Sequence, residues 1–333
     1  MKKFVALLLA ACMILTTGVV TFAADGDFDY ENYYRPRDPK NGEKYVIGYT
    51  YYWSTEFITL MNEGVARAAE KYGVDVIYLD AQNDTAQQLS QVDSLIAQDV
   101  DALLVANVDA DAIVPAWETA KEADIPMFFV NMEINTEDPH YYAGPDDVLA
   151  GYLEASAGIE KVGKEDGVVC ILDGPIGQVP MLERQEGNYQ ALEENPGWEL
   201  RAEQTANWER DQAQAIVENW LETWDDIDLI IGQNDAMGLG AILAIEAKGL
   251  VPNEDIVVVG VDAIEDACIA VKEGKQLCTV YQDAGLEGEL GIQICVDTLQ
   301  GNPPEEYSNR IDMTNYFQDT VDELLTTLYA KDE

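Results

Sequence analysis

The stretch from residue 45 to residue 130 holds four short apolar runs, YVIGYT (45–50), VDVIYL (74–79), ALLVA (102–106) and MFFV (127–130). Runs of this length, rich in branched and aromatic residues, are typical of buried β-strands. Apolar residues recur at helical spacing in the intervening segments, which are residues 55–72, 85–98 and 110–123. This alternation of strands and helices predicts a parallel sheet with helices on both faces.

The same pattern starts again after Gly144. Helices are predicted at residues 148–162, 182–194, 212–224 and 236–248. Strands are predicted at residues 168–172, 200–205, 229–231, 256–259 and 277–281. The sequence therefore predicts an α/β fold with two Rossmann-like lobes, each a parallel sheet flanked by helices.

The N-terminus has the pattern of an export signal. Residues 1–3 are basic at Lys2 and Lys3, residues 4–22 are uncharged and apolar, and small residues precede Asp25. We predict a signal peptide at residues 1–24 and a protein exported to the periplasm or the cell exterior. Two alternatives stay open: a retained membrane anchor, and a lipid attached at Cys12, either of which keeps the protein at the outer face of the cytoplasmic membrane. Residues 25–44 are acidic and contain proline, which indicates a linker.

The composition excludes several classes of protein. The chain has 19 basic and 63 acidic residues; without Lys2 and Lys3, 17 basic residues against 63 acidic ones leave a net charge of −46. Such a charge repels nucleic acid and favours a soluble monomer. His140 is the single histidine, so His-centred triads and HExxH zinc sites are excluded.

Four cysteines follow the leader, at positions 170, 268, 278 and 295. Their spacing matches no zinc motif, and all four lie in apolar segments. We expect buried free thiols, with a Cys268–Cys278 disulfide as the alternative that export would permit.

Polar and aromatic side chains follow the predicted strands. In open α/β sheets, ligands bind at the carboxyl ends of the strands. The candidate ligand-binding residues are Tyr51, Thr55, Phe57, Asn131, Gln178, Arg184, Trp208, Asn234, Asp262 and Gln282. Aromatic rings cover the apolar faces of a sugar, and amides, carboxylates and a guanidinium bind its hydroxyls. This set therefore favours an uncharged polyol. Phe57 and Trp208 are also ordinary core residues, and Asn131 and Asp262 are common helix caps.

Three stretches resemble a known family: LDAQND (79–84), QNDAMG (233–238) and VGVDA (259–263). The chain resembles the type I periplasmic solute-binding proteins of the galactose/glucose and ribose group, from about residue 45 to about residue 312. The resemblance implies a monosaccharide ligand, an ABC-transporter permease as partner, no cofactor and no catalysis. It also implies three crossings between lobes, so that the first lobe is 45–144 plus 283–312 and the second is 145–282 plus 313–333.

The resemblance also assigns roles to single residues. It implies that Phe57 and Trp208 stack on the sugar, that Asn131 binds it from the first lobe, and that four residues of the second lobe and hinge bind its hydroxyls: Arg184, Asn234, Asp262 and Gln282. Thr55, Gln178 and Pro180 depart from the galactose/glucose pattern, which leaves the identity of the sugar open. Residues 161–167 lack alternating oxygen ligands, so no calcium or other metal is expected.

Three other functions compete with sugar binding for transport. A glycoside hydrolase would need paired carboxylates, for which Asp235 and Asp262 are candidates. A sugar-responsive transcription regulator would need a DNA-binding domain ahead of residue 45, where we find an export signal. A sensory subunit that feeds a chemoreceptor or a histidine kinase is not distinguishable from a transport protein by sequence.

Overall fold

The computed structural model describes residues 28–330, and within them it contains two six-stranded sheets. The first sheet has the order β11-β5-β4-β3-β1-β2, formed by β1 (Val46–Tyr51), β2 (Asp75–Asp80), β3 (Ala102–Val105), β4 (Met127–Val130), β5 (Tyr142–Pro145) and β11 (Ser308–Ile311). The second has the order β12-β10-β9-β8-β6-β7, formed by β6 (Gly167–Asp173), β7 (Trp198–Thr205), β8 (Leu229–Gly232), β9 (Val257–Val261), β10 (Cys278–Tyr281) and β12 (Thr314–Phe317). Neighbouring strands run parallel except for the antiparallel pair β10–β12. The predicted fold class is confirmed.

Eleven helices accompany the sheets in residues 28–330. They are α1 (Tyr30–Tyr33), α2 (Glu56–Tyr72), α3 (Thr85–Ala97), α4 (Val114–Glu122), α5 (Asp147–Val162), α6 (Val179–Glu193), α7 (Arg210–Thr223), α8 (Asp235–Ala247), α9 (Glu265–Lys272), α10 (Ala284–Leu299) and α11 (Asp322–Thr327). None of these described helices is long and apolar enough to cross a bilayer. The predicted signal peptide and Cys12 lie outside the described residues.

The chain passes between the two sheets at three places: after β5, between β10 and α10, and between β11 and β12. Helix α10 returns to the first sheet, where it packs on α2, β3 and β4. Helix α11 packs on α9 beside the second sheet. We call the two bodies the first lobe and the second lobe after their sheets.

Both lobes contain helices in very close contact. In the first lobe, a Cβ atom at Gly288 of α10 would overlap the carbonyl oxygen of Met61 in α2. In the second lobe, a Cβ atom at Gly151 of α5 would overlap the carbonyl oxygen of Arg184 in α6. The glycines therefore bring α10 against α2 and α5 against α6 at backbone distance.

The predicted linker is wrong for residues 28–44, because this segment packs on the first lobe. The Tyr33 hydroxyl donates to the Ile125 carbonyl at 2.7 Å and accepts from the Met127 amide at 3.0 Å. Arg35 and Arg37 both form ion pairs with Asp124. Tyr33 and Tyr34 of this segment are buried, and they contribute apolar area that the acidic, proline-containing composition does not indicate.

Candidate functional site

A cleft lies between the lobes at the carboxyl ends of the strands, with about 590 Å³ of space when the part open to solvent is included. The first lobe lines it with Tyr52, Trp53, Thr55, Glu56, Phe57, Asn131 and Met132. The second lobe lines it with Pro180, Arg184, Trp208, Asn234, Ala236, Asp262 and Ile264, and Gln282 lies at the crossing between the lobes. Eight of the ten candidate residues are therefore brought together.

The other two candidates, Tyr51 and Gln178, do not line the cleft. Tyr51 is the last residue of β1 and packs in the core, with its ring 5.4 Å from that of Tyr49. Side chains alternate along a strand, so Tyr52 faces the cleft instead. Gln178 accepts a 2.8 Å hydrogen bond from the indole nitrogen of Trp208 and holds that ring in place.

Two aromatic rings form walls of the cleft. Phe57 lies in the first turn of α2 and is 8% exposed. Trp208 has a left-handed backbone conformation (φ 64°), and its ring packs so closely on Gly174 that any Cβ atom there would overlap it. Because Gln178 and Gly174 fix the indole, Trp208 presents a rigid apolar face.

Arg184 is the centre of the polar part of the site. It is buried, and its Nε donates to Asp147 at 2.7 Å. Its Nη2 donates to Gln282 at 2.6 Å, and its Nη1 donates to the Gln233 carbonyl. Asp262 lies 3.6 Å from Nη1. Burial tends to lower the pKa of Arg184, but the carboxylates of Asp147 and Asp262 outweigh it and raise that pKa. The guanidinium is therefore charged and already neutralised.

Asp262 is held in an unusual conformation. Its φ of 120° lies in a region that side-chain-bearing residues rarely adopt, and its amide donates to the Val280 carbonyl at 2.9 Å. Burial raises the pKa of Asp262 well above its usual range, and Arg184 opposes that shift. Such strain at a buried carboxyl that faces a cleft is typical of functional residues.

The comparisons with known proteins agree with this geometry. Residues 47–303 match the model of the periplasmic binding protein domain. The chain belongs to this family. A xylitol-binding protein of Mycolicibacterium smegmatis is 36% identical over 262 residues, which are 78% of this chain and 74% of that protein. The ribose import binding protein of Bacillus subtilis is 30% identical over 302 residues, 90% of this chain and 94% of that protein.

Solved structures extend the comparison. A solute-binding protein of an ABC transporter from Bacillus halodurans, with bound myo-inositol, has a TM-score of 0.80 and 32% identity to this periplasmic binding protein. The match covers 84% of this chain and 97% of that one. The resemblance to the type I sugar-binding group, inferred from the three short stretches, is confirmed.

The carboxyls of Glu287 and Asp147 in this periplasmic binding protein were not among the residues predicted from the sequence. Glu287 in α10 is fully buried and accepts from Gln282 Nε2 at 2.8 Å and from Asn131 Nδ2 at 3.0 Å. Burial raises the pKa of Glu287 to about 8, and the two amide donors oppose that shift. Hydrogen bonds thus run from Asp147 through Arg184 and Gln282 to Glu287 and join the two lobes.

Two candidate residues also cap helices. Thr55 Oγ1 accepts from the Ile58 amide at 3.1 Å at the start of α2, and Asn234 Oδ1 accepts from the Met237 amide at 3.0 Å at the start of α8. The Thr55 hydroxyl can still donate its hydrogen to a ligand, whereas Asn234 Nδ2 also donates to the Trp208 carbonyl at 3.5 Å.

The lobes also touch directly beside the cleft. Glu56 Oε1, in the first turn of α2, accepts a 3.0 Å hydrogen bond from the backbone amide of Glu265, at the start of α9 in the second lobe. Burial raises the pKa of Glu56, and the Glu265 amide opposes the shift. No pattern in the sequence indicates this contact, because it joins residues 209 positions apart.

The two carboxyls considered for hydrolysis are placed differently. Asp262 lines the cleft, whereas Asp235 is fully buried and accepts hydrogen bonds from Gln276, Thr279 and the Ile264 amide. Asp235 therefore fixes the second sheet to α8 and α9 and does not pair with Asp262 across the cleft.

The prediction for the cysteines is tested by the structure, whereas the prediction that no metal binds is not. All four cysteines in residues 28–330 are buried free thiols, so that prediction is confirmed and the Cys268–Cys278 disulfide is wrong. No group of three or more His, Cys, Asp or Glu residues in the described part of the chain is arranged to hold a metal ion. The absence of a metal stays a prediction.

Proposed function

We propose that this protein is the extracytoplasmic solute-binding protein of an ABC transporter, and that it captures an uncharged monosaccharide or a closely related polyol between two closing lobes. The observation that carries the proposal is the cleft in which the aromatic faces of Phe57 and Trp208 adjoin the polar groups of Asn131, Arg184 and Asp262. The family and the ligands named for its relatives, xylitol, ribose and myo-inositol, support it.

The charges in the cleft support an uncharged ligand. Among the described residues that line the cleft, Arg184 is the only cation, and Asp147 and Asp262 neutralise it. An anionic ligand would meet Glu56 and Asp262 without a free positive partner. A hydroxyl, in contrast, can donate to Asp262 and accept from neighbouring donors.

The pairing of the lobes supports capture by closure. Three short crossings connect them, which suits a hinge, and the Glu56–Glu265 contact forms only when the lobes approach. Closure removes the sugar from water and strengthens each hydrogen bond made there. The closed form then presents a surface built from both lobes to a permease.

A panel of four sugars and two polyols tests the proposal: D-ribose, D-allose, D-glucose, D-galactose, xylitol and myo-inositol. We expect at least one to raise the melting temperature of the protein by several degrees, because a ligand at 100 times its Kd adds about 2.7 kcal/mol of stability. Differential scanning fluorimetry measures the shift, and D-glucuronate, an anionic sugar, serves as the control that should produce none. If none of the six compounds raises the melting temperature, the result counts against the proposal.

Hydrolysis is the competing function with a clear test. The protein should leave chromogenic glycosides intact, because Asp235 is buried outside the cleft and Glu56, the other carboxyl that lines it with Asp262, accepts a hydrogen bond from the Glu265 amide. Turnover that disappears in the Asp262→Asn variant would overturn the binding function.

A further inference from the structure

Asn131 and Gln282 both turn their amide nitrogens toward one carboxyl group. Asn131 Nδ2 lies 3.0 Å from Glu287 Oε2, and Gln282 Nε2 lies 2.8 Å from Glu287 Oε1. Glu287 is fully buried beneath the cleft and is not one of the residues that line it. An ionised carboxylate only accepts hydrogen bonds, so it holds both amides with their nitrogens toward it.

This arrangement has different consequences for the two amides. The Gln282 oxygen accepts from Arg184 Nη2 at 2.6 Å, so both ends of that amide are occupied. The side-chain oxygen of Asn131, Oδ1, has no hydrogen-bond partner among residues 28–330, although the backbone carbonyl accepts from the Tyr142 hydroxyl, and Asn131 lines the cleft. Asn131 therefore offers an acceptor to whatever occupies the cleft.

We propose that Glu287 is a positioning residue that sets the hydrogen-bonding polarity of Asn131, and that it thereby selects sugars that place a donating hydroxyl at this corner of the cleft. This inference rests on the proposed function of the cleft. When Glu287 takes up a proton it has a donor that needs an acceptor. The Gln282 oxygen is held by Arg184, so the Asn131 amide is the one that turns, and it then presents its NH2 group to the sugar.

The surroundings of Glu287 give the direction of the pH dependence. Burial raises its pKa to about 8; the Gln282 and Asn131 amides lower it, Asp147 of α5 raises it and Arg184 of α6 lowers it. Three phenols also interact electrostatically with Glu287: those of Tyr49 in β1, of Tyr52 after β1 and of Tyr142 in β5.

The direction of the pH effect on sugar affinity follows from the linkage between sugar binding and the protonation of Glu287. A sugar that donates to Asn131 favours the ionised form of Glu287, so binding lowers the pKa of that carboxyl. The affinity is then fully present above pH 8, where Glu287 is ionised in the free protein, and it falls as the pH drops below that value. A decrease of one unit in the pKa on binding changes the affinity about tenfold.

Isothermal titration calorimetry at pH 6.5 and pH 9 tests this with each sugar of the panel that binds. We expect the wild-type affinity to be roughly tenfold lower at pH 6.5. Glu287→Gln keeps the size of the side chain but does not ionise, so its affinity should be independent of pH in this range. Glu154→Gln is the matched control: Glu154 is also fully buried with a pKa raised by burial to about 8, but its partner is Asn188. This control should keep the wild-type pH dependence.

A second measurement needs no bound sugar. In ¹⁵N-labelled wild-type protein, the side-chain amide signals of Asn131 and Gln282 should shift together between pH 6.5 and pH 9; Asn131→Asp identifies the first by its loss. A Glu287→Gln variant that keeps the wild-type pH dependence, or an Asn131 amide signal that does not move, overturns the inference. Amides that titrate in a protein that binds no sugar support the role of Glu287 and contradict the proposed function instead.

Discussion

Replacing Arg184 with methionine is expected to abolish sugar binding and to lower the free energy of unfolding by about 3–5 kcal/mol. The guanidinium is buried and supplies donors to Asp147, Gln282 and the Gln233 carbonyl. Methionine fills much of the volume but leaves the carboxyl of Asp147 buried without its partner. Urea unfolding measures the stability, and calorimetry with a sugar of the panel measures the binding.

Arg201→Met is the matched control for this substitution. Arg201 lies on β7 of the same lobe and pairs with Glu199 and Asp226, two carboxylates that are mostly exposed. Ion pairs to solvated carboxylates contribute little, so this variant should bind sugar like the wild type and lose at most about 1 kcal/mol of stability. If Arg184→Met binds the sugar with unchanged affinity, the central role that we give to Arg184 is wrong.

Replacing Gly288 with alanine is expected to destabilise the protein by about 2–3 kcal/mol, although alanine is the better helix former. The added Cβ would overlap the Met61 carbonyl oxygen, and because that atom belongs to the backbone of α2, the whole helix α10 has to move away. Glu287 is the neighbouring residue, so its contacts with Asn131 and Gln282 move as well. We therefore expect a lower affinity for the sugar in addition to a lower melting temperature.

Gly291→Ala provides the comparison on the same helix. A Cβ atom there would lie 3.1 Å from Leu104 Cδ1, a flexible side-chain atom that can give way. The gain in helix propensity then balances the crowding, and the stability should stay close to that of the wild type. Equal losses in the Gly288→Ala and Gly291→Ala variants would show that the close approach of α10 to α2 is not the cause.

The strand-end rule predicted most of the cleft because parallel strands deliver their carboxyl ends to one edge of each sheet. Asn131 follows β4, Asp262 follows β9 and Gln282 follows β10, and all three line the cleft. The rule misplaced Tyr51, because that residue is still within β1 and turns to the other face. Because side chains alternate along a strand, an error of one position selects a side chain on the wrong face.

The buried carboxyls could not be predicted in the same way. Asp147 and Glu287 lie within helices, and in a chain with 63 acidic residues a buried acid has the same one-letter code as a solvated one. Glu287 differs from the solvated acids because it adjoins Gly288, the residue at which α10 packs against α2. That contact depends on tertiary packing, which the sequence pattern does not show. The short strands β5, β11 and β12 were missed because four-residue segments with glycine, proline or asparagine carry little periodicity.

The attachment of residues 28–44 determines how a mechanical load would enter the molecule. The Tyr33 hydroxyl forms hydrogen bonds with the chain at the start of β4, at the end of the strand opposite the cleft. Arg35 and Arg37 form ion pairs with Asp124, just before that strand. Any pull on the chain ahead of Phe28 therefore enters the molecule through the first lobe. A tether at this end would leave the mouth of the cleft, at the opposite ends of the strands, unobstructed.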